Sequence, residues 1–398
     1  MPGRRNPTRQ KQGVPHSLSA REGADQGKPR QASAGAPAGP VIIAAGGTAG
    51  HVFPAAALVA QLGARGLRSV VLTDRRAARQ DFGTAELHVI AGGGFAGRGP
   101  LRALAAVLST ARGTLAAWRL MARLRPAAVV GFGGYPSLAP VLAARLLRPR
   151  PAIILHEQNA VLGRANRALA RLADGIALSY AATRHAPAAA VVTGNPVRSA
   201  VAALSGRRYA PPAGKEPARL LVLGGSLGAR VFADLVPIAL SGSSIRNRLQ
   251  VVQQCRPEDL ARVQAHYHDA GIEAELAAFF PDLPERMASS DLVIARAGAS
   301  TVAELAAIGR PSILVPLPGA IDHHQRANAA CFALQGGAFV LQQTGLTPDR
   351  LGAVVAELLD DPERLQQMAT AALRFGRPDA GEELAGLVVA ATVGKGRQ

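Results

Sequence analysis

The strongest constraint on the fold is a local pattern that occurs three times: a short apolar run, then a glycine-rich loop, then a stretch of helical composition. The loops are residues 46–51, 131–136 and 224–229, and each follows a run of small or branched apolar residues. Such runs are typical of buried strands in parallel sheets. A glycine loop between a strand and a helix lets backbone N–H groups approach an anion at the positive end of the helix dipole. One loop alone could be a tight turn, but three of them predict a site for phosphate groups.

Further apolar runs alternate with helical stretches along the whole chain. In the first half the predicted strands are residues 41–45, 69–73, 86–90, 127–131, 152–155, 175–178 and 190–193. In the second half they are residues 219–223, 249–253, 273–277, 292–295 and 312–315. This alternation is typical of doubly wound parallel sheets, which bind ligands at the carboxyl ends of their strands. We therefore predict an α/β protein with two Rossmann-like domains that face a cleft.

Composition and the order of the predicted elements suggest the domain boundaries. Residues 1–39 are rich in Gly, Pro, Ser and Gln and cannot bury a core, so we predict a disordered basic extension; an unselected extension or a misplaced start is the alternative. Residues 41–197 are assigned to the N-terminal domain and residues 198–376 to the C-terminal domain, with a Pro- and Gly-bearing linker near their junction. Residues 379–394 have a helical pattern, and we expect this last helix to pack back on the N-terminal domain.

The charge balance narrows the class of partner. Lys and Arg number 45 against 27 acidic residues, which gives a formal net charge of +18. Nucleic acid, an anionic membrane or a phosphorylated substrate could each account for such a charge. Basic patches interleaved with aromatic residues are absent from the sequence, so we expect no nucleic-acid partner. No apolar run is long enough to span a membrane, and the first residues lack the apolar core of a signal peptide.

A basic amphipathic stretch, residues 99–125, separates the third and fourth predicted strands. It contains no acidic residue, and six arginines lie in it or directly before it: Arg98, Arg102, Arg112, Arg119, Arg123 and Arg125. One interpretation is a helix with its apolar face in the core and its charged face in water. The other is a helix that lies on an anionic membrane surface.

Polar side chains follow the predicted strands where a parallel sheet binds its ligands. Residues 156–159, with the sequence His-Glu-Gln-Asn, follow the fifth strand, although they could form only a polar connection. Glu304 follows the strand at residues 292–295 and a glycine turn. It could be a helix-dipole partner or could accept hydrogen bonds from ribose hydroxyls. The paired glycines of the first loop do not fit the G-x-G-x-x-G fingerprint of nicotinamide cofactors.

The sequence predicts no metal site. His51 and His156 lack a third ligand at suitable spacing, and the chain has no D-x-D pair that would hold a divalent ion on a nucleotide diphosphate. We therefore expect helix N-termini and arginines to stabilise the charge of a leaving diphosphate, with no required metal or cofactor.

In combination these motifs resemble the MurG family of N-acetylglucosaminyltransferases over about residues 41–394. The resemblance implies a GT-B fold and an inverting transfer of N-acetylglucosamine from UDP-N-acetylglucosamine. The acceptor would be the 4-hydroxyl of undecaprenyl-pyrophosphoryl-N-acetylmuramyl-pentapeptide, and the product would be lipid II, a precursor of peptidoglycan. It also implies a peripheral protein on the cytoplasmic face of the cell membrane, with an anionic membrane surface as a further partner.

The family's functional residues transfer to matching positions of this chain. The residues implied to bind the donor are Thr48, Ala49, Gly50, Asn159, Arg198, Ser226, Phe280, Ala299, Ser300, Thr301, Val302, Ala303, Glu304 and Gln325. Those implied to bind the acceptor pyrophosphate are Gly46, Gly47, Gly133, Gly134 and Tyr135. The chain departs from the family pattern at three positions, where Ala49 replaces a glycine and Leu227 and His324 each replace a glutamine.

The identity of the catalytic base stays open at the level of sequence. His51 follows the first glycine loop and could deprotonate the acceptor hydroxyl, or it could bind the acceptor pyrophosphate. Glu157 is the alternative base. Two other functions also stay open: a UDP-sugar 2-epimerase with the same two-domain architecture, and a nonenzymatic binder of nucleotides or nucleic acid.

Overall fold

A computed structural model of the chain describes residues 39–90, 100–212, 216–225 and 229–395. Within these ranges the chain forms two parallel sheets with helices on both faces. The prediction of a disordered basic extension falls on residues outside this description, except for its last residue.

The first sheet has seven strands in the order β3-β2-β1-β4-β5-β6-β7, and the second has six in the order β10-β9-β8-β11-β12-β13. The strands of the first sheet are β1 (Val41–Ala44), β2 (Ser69–Thr73), β3 (Glu86–Val89), β4 (Ala128–Gly131), β5 (Ala152–Glu157), β6 (Gly175–Leu178) and β7 (Val191–Val192). Those of the second are β8 (Ala218–Leu223), β9 (Leu249–Gln254), β10 (Glu273–Ala277), β11 (Leu292–Ala295), β12 (Ser312–Leu314) and β13 (Ala338–Val340). The prediction of two doubly wound parallel sheets is confirmed.

Helices connect the strands of both sheets. In the first half they are α1 (Ala49–Ala64), α2 (Pro100–Leu124), α3 (Leu138–Leu146), α4 (Arg164–Leu169) and α5 (Ser199–Ala203). In the second half they are α6 (Arg230–Ser241), α7 (Leu260–Asp269), α8 (Leu283–Ser289), α9 (Ala299–Ile308), α10 (His324–Leu334), α11 (Pro348–Leu359), α12 (Pro362–Phe375) and α13 (Ala380–Lys395). Local sequence sets some of these boundaries. The side chain of Thr347 accepts a hydrogen bond from Arg350 N at the start of α11, and Pro348 follows it at the first helical position.

The order of the strands determines where the glycine loops lie in each sheet. In each sheet the chain reverses direction across the sheet between two neighbouring strands, β1 and β4 in the first and β8 and β11 in the second. Ala44 at the end of β1 pairs with Gly131 at the end of β4, so the loops after these strands lie side by side. A reversal point of this kind opens a crevice at the carboxyl ends of the strands, where doubly wound proteins bind ligands.

The strands that carry these loops lie in the core. The residues of β1 and β4 are all buried, because helices cover both faces of the sheet. The last helix, α13, packs along α1, and its Leu384 and Val388 are fully buried in the same cluster as Val41 and Val52. Helix α13 therefore lies against α1, the helix that follows the first glycine loop.

Pro54 lies inside α1, so the carbonyl of Gly50 loses its intrahelical donor. Two other local features differ from the sequence analysis. Strand β13 was not predicted, because three residues flanked by glycines and glutamines give no clear period. The apolar side chains of α2 lie mostly outside the core, since Leu104, Val107, Leu108, Leu115 and Trp118 are 39–57% exposed and only small residues and Met121 are buried.

Candidate active site

A cavity of about 2120 Å³ lies between the carboxyl ends of the two sheets. Loops from both sheets line it, including Gly134 after β4 and Gly298 after β11. Pockets for one small ligand usually measure about 300–1,000 Å³. The cavity therefore has room for two substrates at once.

The first glycine loop places His51 at the wall of this cavity. Gly47 takes a φ of +82°, which glycine adopts without strain, and Thr48 then occupies the N-cap position of α1. Thr48 Oγ1 and His51 Nδ1 lie 3.2 Å apart, so this pair fixes the orientation of the ring. Burial and the nearby His324 lower the pKa of His51 to about 4, although the Gly46 carbonyl and Asp74 act in the opposite direction. The imidazole is thus neutral near pH 7 and can accept a proton.

The second glycine loop lies directly against the first. Gly133 and Gly134 have φ values of +80° and +66°. A Cβ at Gly133 would come within 3.2 Å of Asn166 Nδ2, and one at Gly134 within 3.6 Å of His51 Cε1. A side chain at either position would be strained, and at Gly133 it would also press on Asn166. The Nε2 edge of His51 therefore faces the backbone of Gly134.

Tyr135 and Asp74 close one end of this region. The Tyr135 hydroxyl donates a hydrogen bond to the Asp74 carboxylate, which also accepts from the backbone N–H groups of Arg76 and Ala77 at 3.0 and 2.9 Å. Burial, followed by this carboxylate, raises the pKa of Tyr135 to about 12. Tyr135 therefore remains protonated, and because Asp74 takes its hydrogen, the hydroxyl oxygen can only accept a further hydrogen bond.

Both carboxylate oxygens of Glu157 accept hydrogen bonds from neighbouring residues of the protein. Its Oε1 accepts from the backbone N–H and the side-chain amide of Asn159, at 3.0 and 3.2 Å. Its Oε2 accepts from Gly163 N at 2.8 Å and from Asn166 Nδ2 at 2.9 Å. A carboxylate has about four lone-pair positions, and here four donors use them. The geometry therefore favours His51 over Glu157 as the group that takes a proton.

His156 is fully buried behind this region. Its Nε2 donates to the carbonyl of Gly194 at 3.0 Å, and its Nδ1 lies 2.9 Å from the side-chain amide nitrogen of Gln158. Burial lowers its pKa to about 4. This neutral imidazole is a core group that holds the end of β5 and does not line the cavity.

Asn328 joins the two sides of the cavity. Its side-chain amide donates to Asn159 Oδ1 and to the carbonyl of Ala297, both at 3.1 Å, and its Oδ1 accepts from Ala160 N at 2.8 Å. Asn328 is fully buried, and its bonds to Ala160 and Ala297 lie out of water, while the bond to Asn159 lies at the cavity wall. The sequence analysis did not single out Asn328, although its position four residues after His324 on α10 was an available signal.

Ion pairs between α4 and the turn before α10 form a second connection between the two sides of the cavity, at its rim. Asp322 accepts hydrogen bonds from Arg164 and Arg167 of α4, with Nη2 of each arginine 2.9 Å from a carboxylate oxygen. The hydrogen bond from Arg164 lowers the pKa of Asp322. Asp322 and His323 both have positive φ, +52° and +55°, in the turn before α10. These contacts fix the turn that presents His324 and Gln325, and sequence analysis did not identify the two arginines.

The first turn of α9 forms the floor of the second side. Gly298 is the N-cap, and the helix begins at Ala299, so the N–H groups of Ala299, Ser300 and Thr301 lack an intrahelical acceptor and lie at the cavity. Val302 N donates to the Gly298 carbonyl at 2.9 Å, so the N–H groups from Val302 onward belong to the helix itself. The Ser300 hydroxyl is buried and makes no hydrogen bond to any residue that the structure describes. A helix N-terminus with an unused hydroxyl is suited to bind an anionic group.

Glu304 and Arg198 lie one turn further along this floor. Arg198 Nε and Nη2 donate to the two oxygens of Glu304 at 2.7 and 2.9 Å. The guanidinium also lies over the ring of Phe53, 5.0 Å from its centroid. Because a bidentate arginine uses one lone pair on each oxygen, Glu304 can still accept two further hydrogen bonds.

The remaining predicted donor residues also surround the second side. Phe280 is 5% exposed beneath Arg286, whose guanidinium carbon lies 4.5 Å from the ring centroid. Gln325 Oε1 accepts from Leu317 N at 2.9 Å. Arg296 is buried in the cavity wall and donates to the Val315 carbonyl and to Gln343 at 2.9 and 2.7 Å. Sequence analysis did not single out Arg296 as a charge for this site.

Some predicted positions have limited or no structural description. Ser226 and Leu227 lie outside the described residues, and Ala49 is described only as the first residue of α1. Within the described ranges, no group of three or more His, Cys, Asp or Glu side chains could hold a metal ion.

Comparisons with known proteins agree with this geometry. The glycosyltransferase family 28 N-terminal domain model matches residues 41–178, and the C-terminal domain model of the same family matches residues 219–384. A UDP-N-acetylglucosamine–N-acetylmuramyl-(pentapeptide) pyrophosphoryl-undecaprenol N-acetylglucosamine transferase from Granulibacter bethesdensis is 52% identical over 88% of this chain and 93% of its own length. A protein of the same name from Acidiphilium cryptum is 53% identical over 90% of this chain and 98% of its own length.

Comparison with solved structures also finds a protein of this kind. The crystal structure of Acinetobacter baumannii MurG has a TM-score of 0.72 and 31% identity, and the match covers 87% of this chain and 98% of that one. A UDP-N-acetylglucosamine 2-epimerase from Neisseria meningitidis has a TM-score of 0.63 with only 12% identity, over 88% of this chain and 100% of that one. The second likeness extends to the fold alone.

Proposed function

The chain belongs to glycosyltransferase family 28 and, within it, to the UDP-N-acetylglucosamine–N-acetylmuramyl-(pentapeptide) pyrophosphoryl-undecaprenol N-acetylglucosamine transferases, and from this membership we propose how its cleft works. The enzyme transfers N-acetylglucosamine from UDP-N-acetylglucosamine to the lipid-linked N-acetylmuramyl-pentapeptide. A 2-epimerase is not favoured, because that likeness is confined to the fold. The attacking group is proposed to be the 4-hydroxyl of N-acetylmuramic acid, with inversion at the sugar carbon.

The assignment of the acceptor to one wall of the cavity and of the donor to the other rests on one observation. A single cavity has paired glycine loops and a neutral imidazole on one wall, and a helix N-terminus with Glu304 on the other. The first wall suits the acceptor pyrophosphate at Gly46, Gly47, Gly133 and Gly134. The second suits UDP-N-acetylglucosamine, with its diphosphate at the start of α9 and its ribose at Glu304.

The proton of the acceptor hydroxyl is proposed to pass to His51. The hydroxyl oxygen attacks the anomeric carbon of the donor sugar, the bond from that carbon to the diphosphate breaks, and UDP leaves with the electron pair. If His51 Nδ1–H donates to Thr48, the Nε2 lone pair faces Gly134 and the acceptor side. The low pKa keeps this lone pair available at neutral pH.

Charge on the leaving diphosphate is proposed to be stabilised by the protein itself. The free N–H groups of α9 and the Ser300 hydroxyl are positioned for the phosphates. Arg296 adds a buried positive charge in the same wall. Fixed donors of this kind act without reorganisation during the reaction.

Membrane association is proposed to be peripheral and to occur through α2. No helix among the described residues is long and apolar enough to cross a membrane. Exposed apolar side chains and arginines without any acidic residue share the 25 residues of α2. Such a helix suits the surface of an anionic bilayer, which is where a lipid-linked acceptor would lie.

The direct test is transfer of radiolabel from UDP-N-acetylglucosamine to a lipid-pyrophosphate acceptor, run with and without a chelating agent. Labelled lipid product is expected in both reactions. Release of UDP without labelled product, or formation of an epimerised free sugar nucleotide, would contradict the assignment. Activity that is abolished by the chelator and restored only by a divalent ion would contradict the metal-independent part alone.

A further inference from the structure

An apolar groove lies between α2 and α3, and it is separate from the large cavity. Its volume is about 660 Å³, which is within the range of about 300–1,000 Å³ for small-molecule pockets. We call it the α2–α3 groove. Its apolar lining includes Val107, Ala111, Leu115, Trp118, Leu142 and Leu146.

The groove has few polar groups in its lining. Two lining residues carry a hydroxyl, and both already donate to helix carbonyls at 2.8 Å, Thr110 to Ala106 and Thr114 to Thr110. The only other polar side-chain group of the lining is the indole N–H of Trp118. Exposed apolar side chains nevertheless remain around it, since Leu115 is 46% exposed and Leu146 is 64% exposed. The groove therefore suits a ligand that is a hydrocarbon without donors or acceptors.

Helix α3 connects this groove with the acceptor side of the cavity. Leu138, its first residue, and Ser109 of α2 line the large cavity. Their neighbours Thr110 and Leu142, the latter one helical turn beyond Leu138, line the groove. From Leu138 to Leu146 the helix rises about 12 Å. A ligand held at Gly134 could thus extend along α3 directly into the groove.

Charges on the two helices suit an anionic lipid. Arginine is the only charged residue type in α2 and α3, and Arg112, Arg119 and Arg145 are exposed. The net positive charge of the two helices attracts an anionic ligand, and a hydrocarbon chain attached to a pyrophosphate is a ligand of this kind.

We propose that the α2–α3 groove is a binding subsite for the polyprenyl chain of the acceptor. The proposal rests on the proposed function, because it assumes a pyrophosphate-linked lipid at Gly133 and Gly134. It differs from adsorption of α2 on a bilayer, since a groove of fixed size gives affinity that depends on the chain length of a single lipid molecule.

Trp118 reports occupation of this groove directly. It is the single tryptophan of the chain, it lines the groove, and it is 39% exposed. The experiment titrates the full-length protein with N-acetylmuramyl-pentapeptide pyrophosphates that carry either a short alkyl chain or polyprenyl chains of increasing length. A blue shift of the tryptophan emission is expected only with the polyprenyl acceptors, and affinity should rise with the number of isoprene units.

Amino-acid substitutions can distinguish the effect of the groove from that of the other exposed apolar residues of α2. Leu115→Ser and Leu146→Ser remove apolar surface from opposite walls, and we expect each to raise the KM for a polyprenyl acceptor about tenfold. The KM for the short-chain acceptor should stay within about twofold, which also shows that the variant is folded. Leu108→Ser is the matched control, because Leu108 is 49% exposed on the same helix but does not line the groove.

Three results would overturn the proposal. They are a KM that does not depend on chain length, equal effects of Leu115→Ser and Leu108→Ser, and an equal blue shift with phosphatidylglycerol or phosphatidylcholine vesicles that contain no acceptor. Transfer to both acceptors with equal KM would remove the groove proposal alone. Failure of the wild type to transfer sugar to either acceptor would remove the proposed function as well.

Discussion

Arg198 donates two hydrogen bonds to the carboxylate of Glu304, at 2.7 and 2.9 Å, across 106 residues of sequence. Glu304 is 5% exposed, so the pair is largely shielded from water. The contact orients both carboxylate oxygens before a donor arrives. It therefore prepares the site that we assign to the ribose.

Glu304→Ala is expected to weaken donor binding strongly. The change removes two charge-assisted hydrogen bonds to the ribose, which correspond to about 2–4 kcal/mol, or on the order of a few hundred-fold in affinity. Isothermal titration with UDP-N-acetylglucosamine measures the effect. Glu285→Ala, at an exposed position of α8, is the control and should bind as the wild type does. Donor affinity within a factor of three of the wild type in Glu304→Ala would refute the ribose assignment.

His51 is expected to set the acidic limit of turnover. Because its pKa in the free protein is lowered from 6.5 to about 4, the neutral form persists well below neutral pH, and kcat/KM should fall only as pH approaches about 4. His51→Ala and His51→Gln should each lose at least about a hundredfold in kcat with donor affinity intact. Rates are measured over a pH series for all three proteins. Recovery of most of the turnover in His51→Gln would instead make His51 a binding residue.

His324→Gln is expected to move this acidic limit to higher pH. Burial is the main cause of the lowered pKa of His51, and the nearby His324 is the second, so removal of His324 should raise that pKa part of the way toward 6.5. The same pH series measures the shift. His323→Gln is the control, because His323 is exposed and does not contribute to the pKa of His51. An unchanged acidic limit in His324→Gln would show that the two rings do not interact in the working enzyme.

The buried His156 is expected to make the fold less stable in acid. Its folded pKa is about 4 and its usual value is 6.5, so the unfolded chain binds a proton more readily than the folded one. The free energy of unfolding has its full value, as far as His156 is concerned, above pH 6.5. It decreases by about 3 kcal/mol as pH falls from 6.5 toward 4. Urea unfolding at several pH values measures the slope. His156→Gln should show a shallower loss over this window, whatever its stability at neutral pH; an equal slope would assign the loss to other groups.

Charge reversal on α2 is expected to release the protein from anionic vesicles. Each base near such a surface contributes about 1 kcal/mol, so changing Arg102, Arg112 and Arg119 to Glu should abolish most of the binding. Sedimentation with phosphatidylglycerol vesicles measures it. A matched variant changes Arg208, Arg246 and Arg350 to Glu, three bases of the second half, and should still bind. Equal binding of the wild type to neutral and anionic vesicles would refute the electrostatic contribution.

The sequence by itself determined the two-sheet architecture. Runs such as β1, β4 and β11 are apolar throughout because both faces of a parallel sheet are covered, and such a continuous apolar run is visible in the sequence alone. Glycine positions were equally informative, since Gly47 and Gly133 occupy backbone conformations that other residues rarely adopt.

Only the tertiary structure decided how the polar residues are used. The contact of Asn328 with Asn159 and the pairing of Arg198 with Glu304 join residues that lie 169 and 106 positions apart in sequence. Likewise, the amphipathic pattern of α2 predicted a helix but not that its large apolar side chains would stay exposed. The periodicity of apolar residues predicts the local backbone conformation and the average burial of one face of a helix or strand. Which partner a side chain meets depends on how elements pack over distances that no local pattern encodes.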